Sequence, residues 1–433
     1  MPHPARASLF DPRAAGSSLR TEILAGLTTY LTMAYIVAVN PNILAAAGID
    51  HGAAFTATCI AAALATLAMA LFANYPLALA PGMGLNAYFA YSVVLGMKIP
   101  WQVALGAVFL SGLLFLAISL FRIREWIINS IPLSLKLGIG AGIGLFLGLI
   151  GLEDMGVVVR SPATLVTLGH FDKPATILSC LGFLLIAGLA ARGVRAAILI
   201  GILAVAALGI PFGLTQFHGL VSAPPSLAPT FLKMDVAGAL RLGVGSVIFT
   251  FFLVDVLDNA GTLIATTHRA GLMAKDGTVP RLREALLADS GGAILGAVLG
   301  TSTTTSYIES AAGIEAGGRT GLTALVVAVL FALTLFFAPL AMAIPAFATA
   351  PALVFVACLM ARALRDIAWD DTTEYLPAVV ITLATPFTFS IATAIGLGFI
   401  VHCAVKLLAG RGREIGGAVW LIAAASAIRF AMG

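Results

Sequence analysis

The run Gly300-Thr-Ser-Thr-Thr-Thr305 and its counterpart Ala80-Pro-Gly-Met-Gly84 interrupt a chain that is otherwise strongly apolar. The apolar runs that follow them, 85–96 and 306–316, are too short to cross a bilayer, because a spanning helix needs about 20 residues. Each is third in a series of four apolar segments, one series in each half of the chain. Such pairs indicate inverted repeats with a binding site at mid-membrane, although both could be re-entrant loops that only fill space. The threonines favour an extended stretch leading into a half-helix.

The sequence around these breaks has the composition of a membrane protein. Of the 433 residues, 60% are hydrophobic and only 10% are charged, whereas soluble domains average about 25% charged residues. We therefore predict an all-α polytopic membrane protein. Measured against a spanning helix, the apolar runs between Thr21 and Leu408 provide about fourteen segments, and a further short apolar stretch, 417–431, is left unassigned. The net charge of only +4 argues against nucleic acid as a partner.

The distribution of lysine and arginine predicts an orientation. With the N-terminus on the cytoplasmic side, eighteen of the 24 basic residues fall on inner loops and five on the outer side, with Arg429 unassigned. Short cytoplasmic loops are enriched in basic residues, so the asymmetry supports both the orientation and the segment count. We expect a multi-pass protein of the plasma (inner) membrane. The first twenty residues contain no apolar block, so the first apolar run should serve as the insertion signal.

Acidic residues inside the apolar runs are candidate functional residues, because charge is costly in a bilayer. In the run 251–262, Phe251, Asp255, Asp258 and Thr262 share one face of a helix. Asp258 is the stronger candidate because Gly261 leaves room beside it, whereas Asp255 could equally be a hydrogen-bonded packing residue. Two acids this close repel each other, so we expect one of them to carry a proton.

The two half-helices supply further candidates. Glu309 lies in the first turn of the second half-helix, where the helix dipole favours an anion and where Tyr307 could meet a polar substrate; a purely capping role for Glu309 is the alternative. In the first half-helix, Asn86 offers amide donors and an acceptor, and Phe89 offers a stacking face. The Asn86 amide could equally satisfy the broken backbone. We expect Asp289, which precedes an apolar run, to cap a helix.

No enzyme site emerges from the sequence. The four cysteines lie inside apolar runs, and neither they nor the six histidines have the spacing of metal ligands. No Walker A sequence is present, which argues against ATP hydrolysis. We therefore predict no cofactor, no metal and no catalytic residues. A secondary transporter remains, with a channel or a membrane enzyme as weaker alternatives because neither pore-lining rings nor a nucleophile set is visible.

Several long motifs together resemble the nucleobase:cation symporter-2 superfamily, and within it the AzgA-type purine permeases, which carry adenine or guanine and hypoxanthine. The resemblance extends from about Arg20 to Arg413. The motifs are Gly26-Leu-Thr-Thr-Tyr-Leu-Thr-Met-Ala-Tyr-Ile36, Ala80-Pro-Gly-Met-Gly-Leu-Asn-Ala-Tyr-Phe89, Asp258-Asn-Ala-Gly-Thr-Leu263, Thr303-Thr-Thr-Ser-Tyr-Ile-Glu-Ser310 and Gly317-Gly-Arg-Thr-Gly321.

The resemblance implies fourteen segments in two inverted seven-segment repeats, with a core that moves against a gate. It also implies a homodimer and proton symport. The corresponding parts of this chain are a cytoplasmic tail, 1–20; a first repeat, 21–213, with core segments 21–120 and gate segments 132–213; an extracytoplasmic connector, 214–241; a second repeat, 242–408, with core segments 242–344 and gate segments 350–408; and a C-terminal apolar segment, 409–433.

The resemblance further implies a substrate site between the third and tenth segments, with Asp258 and Glu309 as its acids. A purine presents N–H donors to a carboxylate, a polar edge to Asn86, and flat faces to Phe251 or Phe89. The uracil and xanthine branches have histidines near these acids, whereas this chain has Thr262 at the eighth-segment position, which leaves the proton route open. Sulfate-type anion transporters share the architecture and are the main alternative, but they favour a neutral or cationic site. Adenine and guanine/hypoxanthine cannot be separated by these residues.

Overall fold

The computed structural model of the chain describes residues 10–120, 131–162, 164–217, 219–241, 244–269 and 281–432. This part of the chain is mainly helical, as the composition predicts. Helices satisfy every internal backbone hydrogen bond within the segment, which is why they suit a long apolar sequence in a bilayer. The first nine helices are α1 Leu19–Met33, α2 Ile36–Ala46, α3 His51–Ala68, α4 Met83–Ala87, α5 Trp101–Leu120, α6 Leu133–Asp154, α7 Pro174–Ala191, α8 Ala197–Gly209 and α9 Val236–Arg241.

The second half of the chain repeats this helical character. Its helices are α10 Gly245–Arg269, α11 Leu282–Leu299, α12 Ser310–Glu315, α13 Gly321–Thr334, α14 Ala338–Met342, α15 Ala346–Ala361, α16 Thr372–Thr388, α17 Ile391–Leu408 and α18 Gly417–Met432. π-Helical turns, Met69–Ala73 and Tyr88–Gly96, continue α3 and α4.

Eight helical stretches among the described residues are long and apolar enough to cross a membrane. They are Leu19–Ala46, His51–Ala73, Trp101–Leu120, Leu133–Asp154, Pro174–Ala191, Gly321–Met342, Ala346–Asp366 and Ile391–Leu408. Shorter apolar helices occur at Ala197–Gly209, Gly245–Leu257 and Gly417–Ile428. The prediction of a helical protein with several membrane-spanning segments is therefore confirmed. The count of fourteen segments stays a prediction.

Two short strands, one from each half of the chain, pair with each other. Strand β1, Leu79–Pro81, pairs antiparallel with β4, Thr304–Ser306, with Ala80 opposite Thr305. Each strand is followed by a short helix, α4 or α12, so the extended stretches predicted before the half-helices are present. The pairing satisfies backbone groups that a broken helix would otherwise leave open inside the protein. A second hairpin, β2 Val158–Ser161 with β3 Leu165–Leu168, lies between α6 and α7.

Helix α6 packs closely against α15 and α16 because glycines on its surface admit the neighbouring helices. A Cβ atom at Gly138 would lie 2.8 Å from the Cα atom of Ala378 on α16, and one at Gly144 would lie 2.6 Å from the Cβ atom of Met360 on α15. Small residues allow this approach between helices in a membrane. The three helices therefore form one packed unit.

Candidate functional site

A cavity of about 540 Å³ lies beside the paired strands. This volume is in the range of roughly 300–1,000 Å³ that is typical of small-molecule sites. One part of the lining comes from the start of α4 and the residue before it, from α10 and β4, and from the start of α12 and the residues before it: Gly82, Met83, Gly84, Thr262, Thr305, Ser306, Tyr307, Ile308, Glu309 and Ala311. A second part of the lining comes from α6, α15 and the turn after α15: Gly140, Leu147, Val356, Leu359, Met360, Arg362 and Ala363.

The strand pair holds the ends of both half-helices at this cavity. The Gly82 N–H donates to the carbonyl oxygen of Thr303 at 2.9 Å, and the Tyr307 N–H donates to that of Ala78 at 2.9 Å. The Tyr307 hydroxyl donates to the carbonyl oxygen of Pro81 at 2.5 Å. Tyr307 thus lines the cavity while its polar end fastens one strand to the other.

Glu309 lies at the cavity wall, immediately before α12. Its side chain makes no capping hydrogen bond to that helix, so the capping role is wrong for the side chain. Instead, the hydroxyl of Tyr35 donates to Glu309 Oε1 at 2.8 Å. Tyr35 is only 1% exposed and lies in the break between α1 and α2. The carboxylate of this cavity-lining residue is therefore held from a third element.

Of the two acids of α10, Asp255 and Asp258, the structure describes the side chain of Asp255. The side chain of Asp258 lies outside the described residues. Asp255 is fully buried, and Asn259 Nδ2 donates to its Oδ1 atom at 3.0 Å. Asn259 Oδ1 accepts from the Thr305 hydroxyl at 2.5 Å and from the Ser306 N–H at 3.2 Å. Asp255 is thus linked through Asn259 to β4, in agreement with the packing alternative.

Asn259 is a site-supporting residue that the sequence reasoning missed. Its position directly after Asp258, on an apolar helix, is a signal that could have identified it. Asp289 was also assigned wrongly, because it lies within α11 and caps no helix end. It is fully buried and accepts hydrogen bonds from the Ser306 hydroxyl, at 2.9 Å to Oδ1 and 3.1 Å to Oδ2. Asn259 and Asp289 therefore hold β4 from two helices.

Asn86 belongs to a buried polar network behind the cavity wall. Its Nδ2 atom donates to Asn40 Oδ1 at 2.5 Å, and its Oδ1 atom accepts from the Ser302 hydroxyl. Asn40 in turn donates to the hydroxyls of Thr58 and Thr301, at 2.7 and 2.9 Å. Asn86 is not among the cavity-lining residues. The amide is used in joining the broken segments, which was the structural alternative.

The two predicted stacking residues are also buried beside the cavity and do not line it. Phe89 and Phe251 are both fully buried. Phe251 packs against Tyr88, with ring centroids 5.1 Å apart and an interplanar angle of 63°. Of the residues predicted for substrate binding, the structure therefore brings Glu309 and Tyr307 to the cavity, where Thr262 joins them. The apolar wall from α6 and α15 was not predicted.

Comparisons with known proteins agree with this fold. The Permease family model matches residues 20–397 of the chain. The chain is 52% identical over 422 residues to a putative permease of Methanocaldococcus jannaschii, with 97% of each chain covered. It is 47% identical over 415 residues to the adenine permease AdeP of Escherichia coli, covering 96% of this chain and 93% of the relative. It is also 47% identical over 415 residues to the guanine/hypoxanthine permease PbuG of Bacillus subtilis, with 92% and 93% covered.

A solved structure with the same fold is the transmembrane domain of a cyanobacterium bicarbonate transporter, BicA. The TM-score is 0.65 at 15% sequence identity, and the match covers 87% of this chain and 97% of that domain. At this identity the likeness concerns the fold alone. The chain belongs to the Permease family matched over most of its length, which is the nucleobase:cation symporter-2 family that its motifs resemble.

Proposed function

We propose that the protein is a secondary active transporter of purine nucleobases, either adenine or guanine and hypoxanthine. The observation that carries the proposal is the cavity beside the paired strands, whose lining combines Glu309 with mainly apolar residues of α6 and α15. Relatives that cover almost the whole chain are adenine and guanine/hypoxanthine permeases. Both the chemistry of the cavity and these relatives therefore favour a flat, polar-edged heterocycle as substrate.

The cavity chemistry suits a purine. A carboxylate accepts adjacent N–H donors of a base, and hydrogen bonds to an ionised group are the stronger ones. Glu309 and Thr262 provide polar lining residues, and Leu147, Val356 and Met360 provide apolar ones. The apolar residues favour a ring face. The charged residues of the lining are one acid, Glu309, which would repel a sulfate or bicarbonate ion, and one arginine, Arg362. These contacts favour the purine over an anion as substrate.

The transport step that we propose is movement of a core, residues 21–120 and 242–344, against a gate, residues 132–213 and 350–408. The division of the cavity supports it: the strands, half-helices and Thr262 come from the core ranges, and α6 and α15 come from the gate ranges. A ligand bound between the two would be exposed to one side or the other as they move. The fourteen-segment inverted repeat belongs to this proposal.

Proton coupling, orientation and assembly are further parts of the proposal. Asp258, Glu309 and Asp255 are the acids that would exchange the coupled proton, because acids in a bilayer are rare and costly. Arg362, which lines the cavity, and the nearby Arg365 would lie on the cytoplasmic side under the basic-residue rule. The N-terminus would then lie in the cytoplasm. The homodimer in the plasma membrane is a separate part of the proposal, which rests on the family resemblance.

The proposal is tested by uptake of labelled hypoxanthine and adenine into proteoliposomes with an imposed proton gradient. Competition by guanine, xanthine, uracil and sulfate gives the specificity, and a protonophore reports on coupling. We expect purines to compete and the protonophore to prevent accumulation. Inhibition by sulfate alone would overturn the purine proposal. Purine accumulation that is insensitive to the protonophore would overturn only the coupling.

A further inference from the structure

Helix α6 carries six glycines, and five of them serve helix packing. A Cβ atom at Gly138, Gly142, Gly144, Gly148 or Gly151 would lie 3.0 Å or less from an atom of α15 or α16. These five positions must stay small for the helices to approach. Gly140 is different, since a Cβ atom there would meet no atom within 4 Å. Packing therefore gives no reason for glycine at this position.

Gly140 lines the cavity that contains Glu309. Leu147, seven residues further along α6, lines it too, as the helical repeat requires for residues on one face. Between them, Ile143 touches the start of the first half-helix, since a Cβ atom at Gly84 would collide with its Cγ2 atom. The face of α6 that carries Gly140, Ile143 and Leu147 thus meets the first half-helix and the cavity.

We propose that Gly140 is a specificity-determining residue that sets the largest base the site accepts. The inference rests on the proposed function and deepens it, because it assigns the size limit to the gate side of the cavity. Without a side chain, the α6 backbone lets the face or edge of a bicyclic ring approach closely. A Cβ atom at position 140 would enter open space beside the cavity and would meet no neighbouring helix, so it would take space from the ligand.

Substitutions of graded size follow from this geometry. Gly140→Ala should raise the KM for guanine by about tenfold more than the KM for hypoxanthine, because guanine carries one additional amino group and one extra group in a filled pocket costs about this much. Gly140→Leu should abolish binding of both bases. The larger side chain would occupy the part of the cavity beside α6 where the base is proposed to bind, while the other five glycines are unchanged.

Gly188 provides the matched control. It lies on α7, is exposed, also has no atom within 4 Å of a Cβ position, and is not among the cavity-lining residues. Gly188→Leu should transport like the unmodified protein. KM and maximal rate are measured for hypoxanthine, adenine and guanine in proteoliposomes, with the amount of inserted, monodisperse protein determined for each variant.

The outcomes separate the two proposals. Failure of the unmodified protein to take up any purine would overturn the proposed function. Normal uptake by Gly140→Leu would overturn the assignment of Gly140. Equal KM increases for hypoxanthine and guanine in Gly140→Ala would also overturn it, as would a lower maximal rate with unchanged KM for every base, since that result indicates a role in helix movement. If Gly140→Leu does not insert, the KM ratios of Gly140→Ala decide.

Discussion

The hydroxyl oxygen of Tyr35 lies 2.8 Å from Oε1 of Glu309 and donates a hydrogen bond to it. Tyr35 belongs to the break in the first membrane span, and Glu309 precedes the second half-helix, 274 residues later in the chain. The Thr32 hydroxyl adds a contact of 3.4 Å to the Glu309 carbonyl oxygen. The first span therefore orients the one acid whose side chain is described at the cavity wall.

Tyr35→Phe removes this hydrogen bond and little else. A hydrogen bond to a charged group contributes about 1.5–3 kcal/mol, so we expect uptake at low substrate concentration to fall by roughly tenfold or more. Initial uptake rates in proteoliposomes measure the effect. Tyr30→Phe is the control. Tyr30 lies on α1 and its hydroxyl forms a hydrogen bond of 2.6 Å with the Thr334 hydroxyl, and neither residue lines the cavity that contains Glu309. Equal losses in the two variants would contradict a specific role for Tyr35.

Glu309→Gln keeps the shape of the side chain and removes its charge and its proton. We expect concentrative uptake to be abolished while insertion and folding are retained, because Glu309 lines the cavity and its carboxylate is the group proposed to accept the N–H donors of the base. Uptake is compared with that of Glu315→Gln, which alters an exposed acid at the end of α12. Full proton-driven accumulation by Glu309→Gln would remove this residue from the proposed site.

Asp258→Asn tests the acid that only the sequence identifies. If Asp258 binds substrate or the coupled proton, the variant inserts normally and loses concentrative uptake, since an amide can neither carry the charge nor exchange the proton at that position. Counterflow of labelled hypoxanthine separates these roles, because counterflow does not need net proton movement. Undiminished accumulation by the variant would exclude Asp258 from both.

Asn259→Ala tests the support of strand β4. The variant loses hydrogen bonds to Asp255, Thr305 and the Ser306 backbone, which leaves a buried acid with one donor fewer. We expect a loss of about 2–4 kcal/mol in stability, measured as a lower thermal midpoint in detergent. Asn42→Ala, which removes one half-buried contact of 3.2 Å to the Ile344 carbonyl, should cost less. A midpoint for Asn259→Ala at or above that of Asn42→Ala would contradict the support role.

The ion pairs after α17 predict a pH dependence of stability. Hydrogen bonds from Arg411 and then Lys406 lower the pKa of Glu414 from 4.5 to about 2, and hydrogen bonds from Thr373 and Arg411 hold the pKa of Asp371 well below its usual range. Because these pKa values are lowered by folding, the stabilisation is complete above pH 4.5 and is lost as the pH falls towards about 2.

Arg411→Gln should therefore lower the thermal midpoint at neutral pH. The difference in midpoint from the unmodified protein should shrink as the pH falls from 4.5 towards about 2. Thermal midpoints in detergent across the pH range give the measurement. Arg413→Gln, which changes an exposed neighbour, is the control. A difference in thermal midpoint that stays constant down to about pH 2 would show that Arg411 stabilises the protein by packing and not by its ion pairs.

Much of the architecture could be predicted because its signals are local. Apolar runs long enough to span a bilayer identified the membrane class, and the clusters Ala80–Gly84 and Gly300–Thr305 identified the two interruptions. The expectation of extended backbone before each half-helix is met by β1 and β4. Glu309 was identified for the same reason. An acid inside a short apolar segment is costly, so its presence there indicates a function.

The positions of uncharged polar residues could not be predicted in the same way. Asn86 and Asn259 are similar in sequence context, yet Asn86 bonds Asn40 and Ser302, and Asn259 bonds Asp255 and Thr305. An amide is satisfied by whichever donors and acceptors the fold brings near it. The capping role expected of Asp289 was wrong because Ser306, 17 residues away, is its partner.

The sequence by itself determined that this is a polytopic helical membrane protein with two broken segments and with acids inside its apolar runs, because the bilayer constrains composition and length residue by residue. Only the tertiary structure decided which side chains reach the cavity. Glu309 and Tyr307 line it, Phe89 and Phe251 do not, and Gly140 and Met360 belong to the lining. Such a lining is built from helices far apart in the chain, and their faces meet only through packing that local sequence patterns do not record.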